Sequence, residues 1–137
     1  MHAIEINWLA VVVSAFVAYV GGAIWYSPVL FAKRWSVLTG VGAGSMSGGA
    51  GPAIGLVAQA LLTVIAVAVL AAFESWSGAH NILQGAWVGL LAGAGFIATD
   101  HAKLLAFEHR PIELFAINNG YTVIAFLVMG AIIAAFH

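Results

Sequence analysis

Polar side chains are distributed unevenly along this chain, and the chemistry that they could support is the binding of a small polar solute. Most lie in or beside three long apolar runs, and polar groups in a bilayer face either the interior of a helix bundle or water. We therefore expect them to form either a small pocket or a network of hydrogen bonds that only joins helices. The candidate residues are Asn118, Tyr121, Thr122, Gln59, Thr63, Thr99, Asp100, His101, Glu108 and Arg110.

These residue types do not form a catalytic or metal-binding pattern. The chain has no Cys, which excludes thiolate nucleophiles, disulfides and sulfur-based metal sites. His101 and Glu108 are seven residues apart, which is not the HxxxH or ExxH spacing of helical metal ligands. A GxSxG nucleophile motif is also missing from the sequence. We predict no catalytic residue, no metal and no cofactor, and favour a protein that is not an enzyme.

Composition defines the class of protein. Hydrophobic residues make up 64% of the 137 positions and charged residues 7%, far from the roughly half apolar and quarter charged composition of soluble domains. Four Lys and Arg residues and a net charge of −1 provide no basic patch for nucleic acid. The sequence indicates an integral membrane protein.

Four apolar runs have the length of about 20 residues that a membrane-spanning helix needs. We predict an all-α polytopic membrane protein, with residues 1–137 forming a single domain. The spans are expected at residues 6–26, 53–73, 82–106 and 111–136, and the first is interpreted as a retained helix rather than a cleaved signal. Ser27 and Pro28 favour a short interfacial helix over residues 28–38, and the Gly-rich residues 40–52 are expected to form a flexible linker.

The basic residues predict an orientation. Lys33 and Arg34 lie between the first two spans, and Lys103 and Arg110 lie between the last two. By the positive-inside rule, both of these connections face the cytoplasm and both termini lie outside a cell inner (plasma) membrane.

Two ridges of small residues recur at every fourth position, a pattern that lets membrane helices approach closely. We expect the first helix to pack against the third through these ridges, with a seam between identical subunits as the alternative. The ridges are Ala10, Ser14, Ala18 and Gly22 in the first span, and Gly85, Gly89 and Gly93 in the third.

The fourth span places two amides side by side. Asn118 shares a helical face with Thr122, whereas Asn119 is about 100° away on the wheel. We therefore expect Asn118 to be the centre of the polar cluster and Asn119 to matter less.

Several short motifs resemble a known family across nearly the whole chain. They are Asn7-Trp8-Leu9-Ala10-Val11, the segment from Gly22 to Phe31 with Trp25-Tyr26-Ser27-Pro28 at its centre, Phe107-Glu108-x-Arg110-Pro111, Ile117-Asn118-x-Gly120-Tyr121 and Met129-Gly130. In these motifs the chain is similar to the small bacterial membrane proteins of domain of unknown function 1761. The resemblance implies four membrane helices and no particular activity. It draws attention to Asn7, Trp25, Tyr26, Ser27 and Pro28.

Two functional hypotheses follow. The first is an oligomeric transport or channel-like protein with a polar pocket in its cytoplasmic half, because four short helices enclose too little volume for a solute path. The alternative is a structural or accessory subunit of a larger membrane complex. Both imply the lipid bilayer as surroundings, and either a homo-oligomer or a membrane complex as the assembly.

Overall fold

A computed structural model describes residues 3–41 and 51–137 of the chain, with the side chains of residues 51 and 52 outside the description. In this part of the chain every regular element is helical, and four stretches are long and apolar enough to cross a membrane. The elements are α1 (Trp8–Trp25), α2 (Ala32–Thr39), α3 (Gly51–Ser77), α4 (Ile82–Leu90), a π-helical segment (Leu91–Ala98), α5 (Thr99–Phe107) and α6 (Ile112–Ala135). The prediction of an all-α fold with four spans is confirmed.

The third span is one continuous rod made of three pieces. From Ile82 to Phe107 the chain stays helical, but its middle residues, Leu91 to Ala98, follow a wider π-helical path. A π-helix replaces the usual i→i+4 hydrogen bonds with i→i+5 bonds and is usually a single turn. The eight-residue segment here is therefore long for its kind.

α6 is the central helix of the bundle. It packs against α1 on one side and against α4 and the π-helical segment on another, while α3 touches both α1 and α6. The core between them is a dry cluster that includes Val11, Val67, Leu70 and Ile133, each at most 1% exposed. Most other large apolar side chains are exposed on the outside of the bundle, as lipid contact requires.

The glycine ridge of the third span packs on α6, not on α1 as the sequence led us to expect. A Cβ added to Gly85 or Gly89 would overlap the backbone oxygen of Gly130 or Phe126, and one at Gly93 would lie 3.1 Å from the Cα of Val123. The reason is Gly130, which removes the opposing side chain and lets the backbones of α4 and α6 touch. This seam lies within one chain. On α1, Ala10, Ser14 and Ala18 are buried, whereas Gly22 faces the Tyr121 hydroxyl.

The interfacial helix starts later than predicted. Residues 27–31 form turns, in which the carbonyl of Ser27 accepts hydrogen bonds from the amides of Leu30 and Ala32, and α2 begins at Ala32. α2 ends at Gly40, whose φ of 72° is readily adopted by glycine. The predicted linker falls mostly outside the described residues, and its last part, from Gly51, is the start of α3.

The second span is longer than predicted at its far end. We expected it to end at Phe73, but α3 continues through Ser77 and ends at Gly78, which has a φ of 73°. Its last turn is closed by the Ala79 amide and the Ser77 hydroxyl, which both donate to the carbonyl oxygen of Glu74. Glu74 is therefore a residue of the bundle and not of the connecting loop.

Hydrogen bonds show which connections share an end of the bundle. The amide of Glu5 donates to the Ser75 hydroxyl, and the Asn7 side chain donates to the carbonyl of Phe136. The segment before α1 and the ends of α3 and α6 therefore lie together. All four basic residues of the chain lie at the opposite end, which we call the basic end.

Candidate functional site

A cleft of about 190 Å³ opens at the basic end of the bundle, between α5 and the first half of α6. Its lining combines four polar side chains with four apolar ones, a mixture typical of sites for small amphipathic molecules. The lining residues are His101, Leu104, Leu105, Arg110, Leu114, Phe115, Asn118 and Asn119.

Asn119 and His101 form one side of the cleft. The Asn119 amide nitrogen donates to the carbonyl of Phe115 at 3.0 Å, which fixes its Oδ1 as the acceptor for His101 Nδ1 at 2.8 Å. Because an amide oxygen can only accept, Nδ1 of His101 carries the proton in this contact. Asn119 is 5% exposed, so it is the more buried of the two amides rather than the one turned away. The expectation drawn from the helical wheel was wrong on this point.

Asn118 and Tyr26 join α6 to the end of α1. The Tyr26 hydroxyl donates to Asn118 Oδ1 at 2.9 Å. Desolvation by burial raises the pKa of Tyr26 to about 12, with a further contribution from the neighbouring Tyr121, so this hydroxyl keeps its proton and remains a donor. Both amides of α6 are therefore held by a partner on a different helix.

Two further aromatic side chains brace the same junction. Tyr121 donates its hydroxyl to the carbonyl of Ala18, and Trp25 donates its indole N–H to the carbonyl of Ile117 at 3.0 Å. The ring of Trp25 lies 4.8 Å from that of Phe31, between their centroids. These bonds place the WYSP motif directly against the INxGY motif. Ser27 and Pro28 of the WYSP motif lie in the turn before α2. At the other end of α1, the Asn7 side chain caps the helix by accepting hydrogen bonds from the amides of Leu9 and Ala10.

Charged side chains at the basic end form three exposed ion pairs. Arg110 binds Glu108 at 2.7 Å, Lys103 binds Asp100, and Arg34 of α2 binds Glu113 at the start of α6. The hydrogen bond from Arg34 to Glu113 raises the pKa of the guanidinium and ties the interfacial helix to α6. Exposed pairs of this kind add little to stability, because water and salt screen them. Arg110 also lines the cleft, so its guanidinium lies there with its charge balanced by Glu108.

Seven of the ten residues proposed for the pocket do not line the cleft, among them Tyr121, Asp100 and Glu108, whose contacts are described above. Gln59 and Thr63 bond to each other on the outer face of α3, away from the cleft. Thr99 and Thr122 each bond to a backbone carbonyl of their own helix. These contacts only provide hydrogen-bond partners for the hydroxyl and amide groups of the four side chains.

Glu74 is the polar residue that sequence reasoning missed. Its side chain is 0% exposed, and neither carboxylate oxygen has a hydrogen-bond partner among the described residues. The signal that could have identified it is an acidic residue followed, after three positions, by the helix-ending pair Ser77-Gly78. Ser14 of α1 is the other buried side chain in the described part of the chain whose hydroxyl lacks a partner.

Within residues 3–41 and 51–137, no three His, Asp or Glu side chains gather closely enough to hold a metal ion. The polar groups of the cleft can instead offer hydrogen bonds and one guanidinium to a small ligand.

Fold and site together define a class, namely small four-span helical membrane proteins whose polar side chains gather at one end of the bundle. Comparison with family models is more specific, because residues 9–134 match the family described as protein of unknown function (DUF1761). The chain belongs to this family. Comparisons with curated proteins and with solved structures give no match.

Proposed function

We propose that this protein is an oligomeric transport or channel-like protein of the cell inner membrane, and that the cleft between α5 and α6 is its solute site. The observation that carries the proposal is the cleft itself, which brings His101, Arg110, Asn118 and Asn119 together beside an apolar wall. The cleft of about 190 Å³ beside these polar groups is the space that a small ligand would occupy.

The lining favours a small organic anion with an apolar body. Arg110 supplies a guanidinium, and the two amides and the His101 ring supply further hydrogen-bonding groups. Leu104, Leu105, Leu114 and Phe115 form the apolar wall of the same cleft. A monocarboxylate such as benzoate combines both requirements, with its charge directed to Arg110 and its ring to the wall.

The close contact of α4 and α6 beyond the cleft is the reason for proposing an oligomer. Farther into the membrane, the backbones of α4 and α6 touch at Gly89 and Gly85, so no solute can continue between them. Two or more copies would be needed to form a path across the bilayer, which is why we propose a homo-oligomer.

Replacing the guanidinium tests the solute site. In liposomes that contain the purified protein, we expect benzoate uptake above that of protein-free liposomes, and a reduction of about tenfold or more in Arg110→Gln, since a hydrogen bond to a charged group contributes roughly 1.5–3 kcal/mol. Lys103→Gln is the matched control, because Lys103 lies at the same end of the bundle but outside the cleft. Equal loss in both variants would show a general effect of charge and contradict the site.

The assembly can be measured on the same preparation. A closed homo-oligomer in mild detergent supports a path between copies. Extraction as a stable complex with other membrane proteins, together with no benzoate uptake, would instead favour the structural or accessory role.

The orientation is proposed from the basic end, which we place on the cytoplasmic side with both termini outside. Single cysteines in this cysteine-free chain can test it, because Ser77 and His109 are both exposed and lie at opposite ends of the bundle. With an impermeant thiol reagent on intact cells, Ser77→Cys should react and His109→Cys should react only after permeabilisation. The reverse pattern would overturn the orientation.

A further inference from the structure

Glu74 is buried in a place where its charge has no counterpart. Its side chain is fully enclosed near the end of α3 opposite the basic end, and both of its oxygens lack hydrogen-bond donors within the described residues. An ionised carboxylate buried without a partner costs several kcal/mol, whereas the neutral acid costs far less.

The wall around the carboxyl is backbone rather than a polar side chain. A Cβ on Gly130 would lie 3.1 Å from Oε1 of Glu74, so α6 passes directly over the carboxyl. Gly130 also meets the backbone of Gly85. The carboxyl thus lies beside the junction of α3, α4 and α6.

Titratable groups near this end of the bundle do not neutralise Glu74. They are Glu5 before α1, His80 in the turn after α3 and His137 after α6, and the rings of the two histidines lie 6.0 Å apart, edge to face. None of the three bonds to the Glu74 carboxyl in the part of the chain that the structure describes. The four Lys and Arg residues lie at the basic end, so a second copy in the same orientation would bring no Lys or Arg either.

The end of α3 is exposed close to the buried carboxyl. Ser77, one turn farther along α3, and Gly78 after it are both exposed. A small separation of α6 from α3 would therefore be enough to connect Glu74 with this side of the membrane.

We propose that Glu74 is a proton-binding site: its carboxyl holds a proton in the packed bundle and exchanges it with water on the side of the membrane where α3 ends. The ligand is the proton alone, and no bond other than the O–H bond forms or breaks. This site is separate from the cleft and does not depend on the proposed transport of an anion.

Infrared spectroscopy of the full chain in lipid tests both parts of the proposal. The difference spectrum between the wild type and Glu74→Gln at neutral pH should contain one protonated carboxyl C=O band that the variant lacks. In heavy water this band should shift as the proton is replaced by a deuteron. Glu113→Gln, which removes an exposed carboxylate, should leave the band in place.

Two results would overturn the proposal. If the difference spectrum contains carboxylate bands instead, Glu74 is ionised and has a partner that the bundle does not supply. If the carboxyl band is present but never shifts in heavy water, the proton is locked and the residue is only structural. If Glu74→Gln does not fold, Glu74→Asp provides the comparison, because it should move the same band without removing it.

Discussion

Replacing Gly89 by Ala is expected to destabilise the folded protein by about 3 kcal/mol or more, at the upper end of the usual cost of overpacking. The added Cβ would overlap the carbonyl group of Phe126 and would lie 3.2 Å from the Cα of Leu127. These are backbone atoms of α6, which cannot rotate away as a side chain could. The two helices would have to separate along their whole seam.

Gly95 is the matched control for this experiment. It lies six residues farther along the same span, and a Cβ there would meet nothing within 4 Å. Gly95→Ala should therefore leave the thermal midpoint in detergent unchanged or slightly raised. If Gly89→Ala melts like Gly95→Ala, the α4–α6 seam is wrong. If it melts normally but changes the size of the assembled particle, the glycine ridge faces another subunit instead.

Replacing Asn119 by Leu is expected to abolish most solute binding in the cleft and to cost about 0.5–1.5 kcal/mol of stability for each of the two hydrogen bonds that it removes. His101 would lose the acceptor for its Nδ1–H, and the backbone carbonyl of Phe115 would lose a donor. The ring of His101 would then be free to leave the orientation that it has in the cleft.

A double-mutant cycle separates this role from general damage. His101→Phe and Asn119→Leu should each reduce stability and benzoate uptake, but the double variant should be little worse than either single one, because both remove the same contact. Asn119→Leu combined with Tyr26→Phe is the matched comparison, since Tyr26 bonds to Asn118 instead. Additive losses in the first pair would contradict a coupled His101–Asn119 unit.

The number and length of the spans could be predicted from the sequence because they depend on composition and bilayer thickness. The partner of the glycine ridge could not, since a ridge of small residues shows that a helix is approached closely but not by which helix. The answer depended on Gly130, an isolated glycine in α6 that faces Gly85 across the seam.

The two amides of α6 show a second limit of sequence reasoning. The helical wheel shows that Asn118 and Asn119 point about 100° apart, and a single inward face centred on Asn118 places Asn119 at its edge. α6 is central and has α1 on one side and the third span on another, so Asn118 bonds to Tyr26 and Asn119 to His101.

Glu74 was missed because an acidic residue at the end of an apolar run usually lies among the lipid headgroups. The Ser77-Gly78 pair indicates that the helix continues for another turn, but the sequence does not show that α6 covers this turn. Burial of this kind depends on three helices meeting, which no local pattern records.

The π-helical segment changes the angular position of side chains between the two α-helical parts of the third span. Each of its hydrogen-bonded turns takes up one residue more than an α-turn, so the angular position of α5 about the axis is offset from that of α4. The glycines of α4 can therefore stay locked against α6 while His101 on α5 is set at an angle of its own. A conversion of π-turns to α-turns would rewind this offset and rotate the histidine about the axis, without any sliding of the glycine seam.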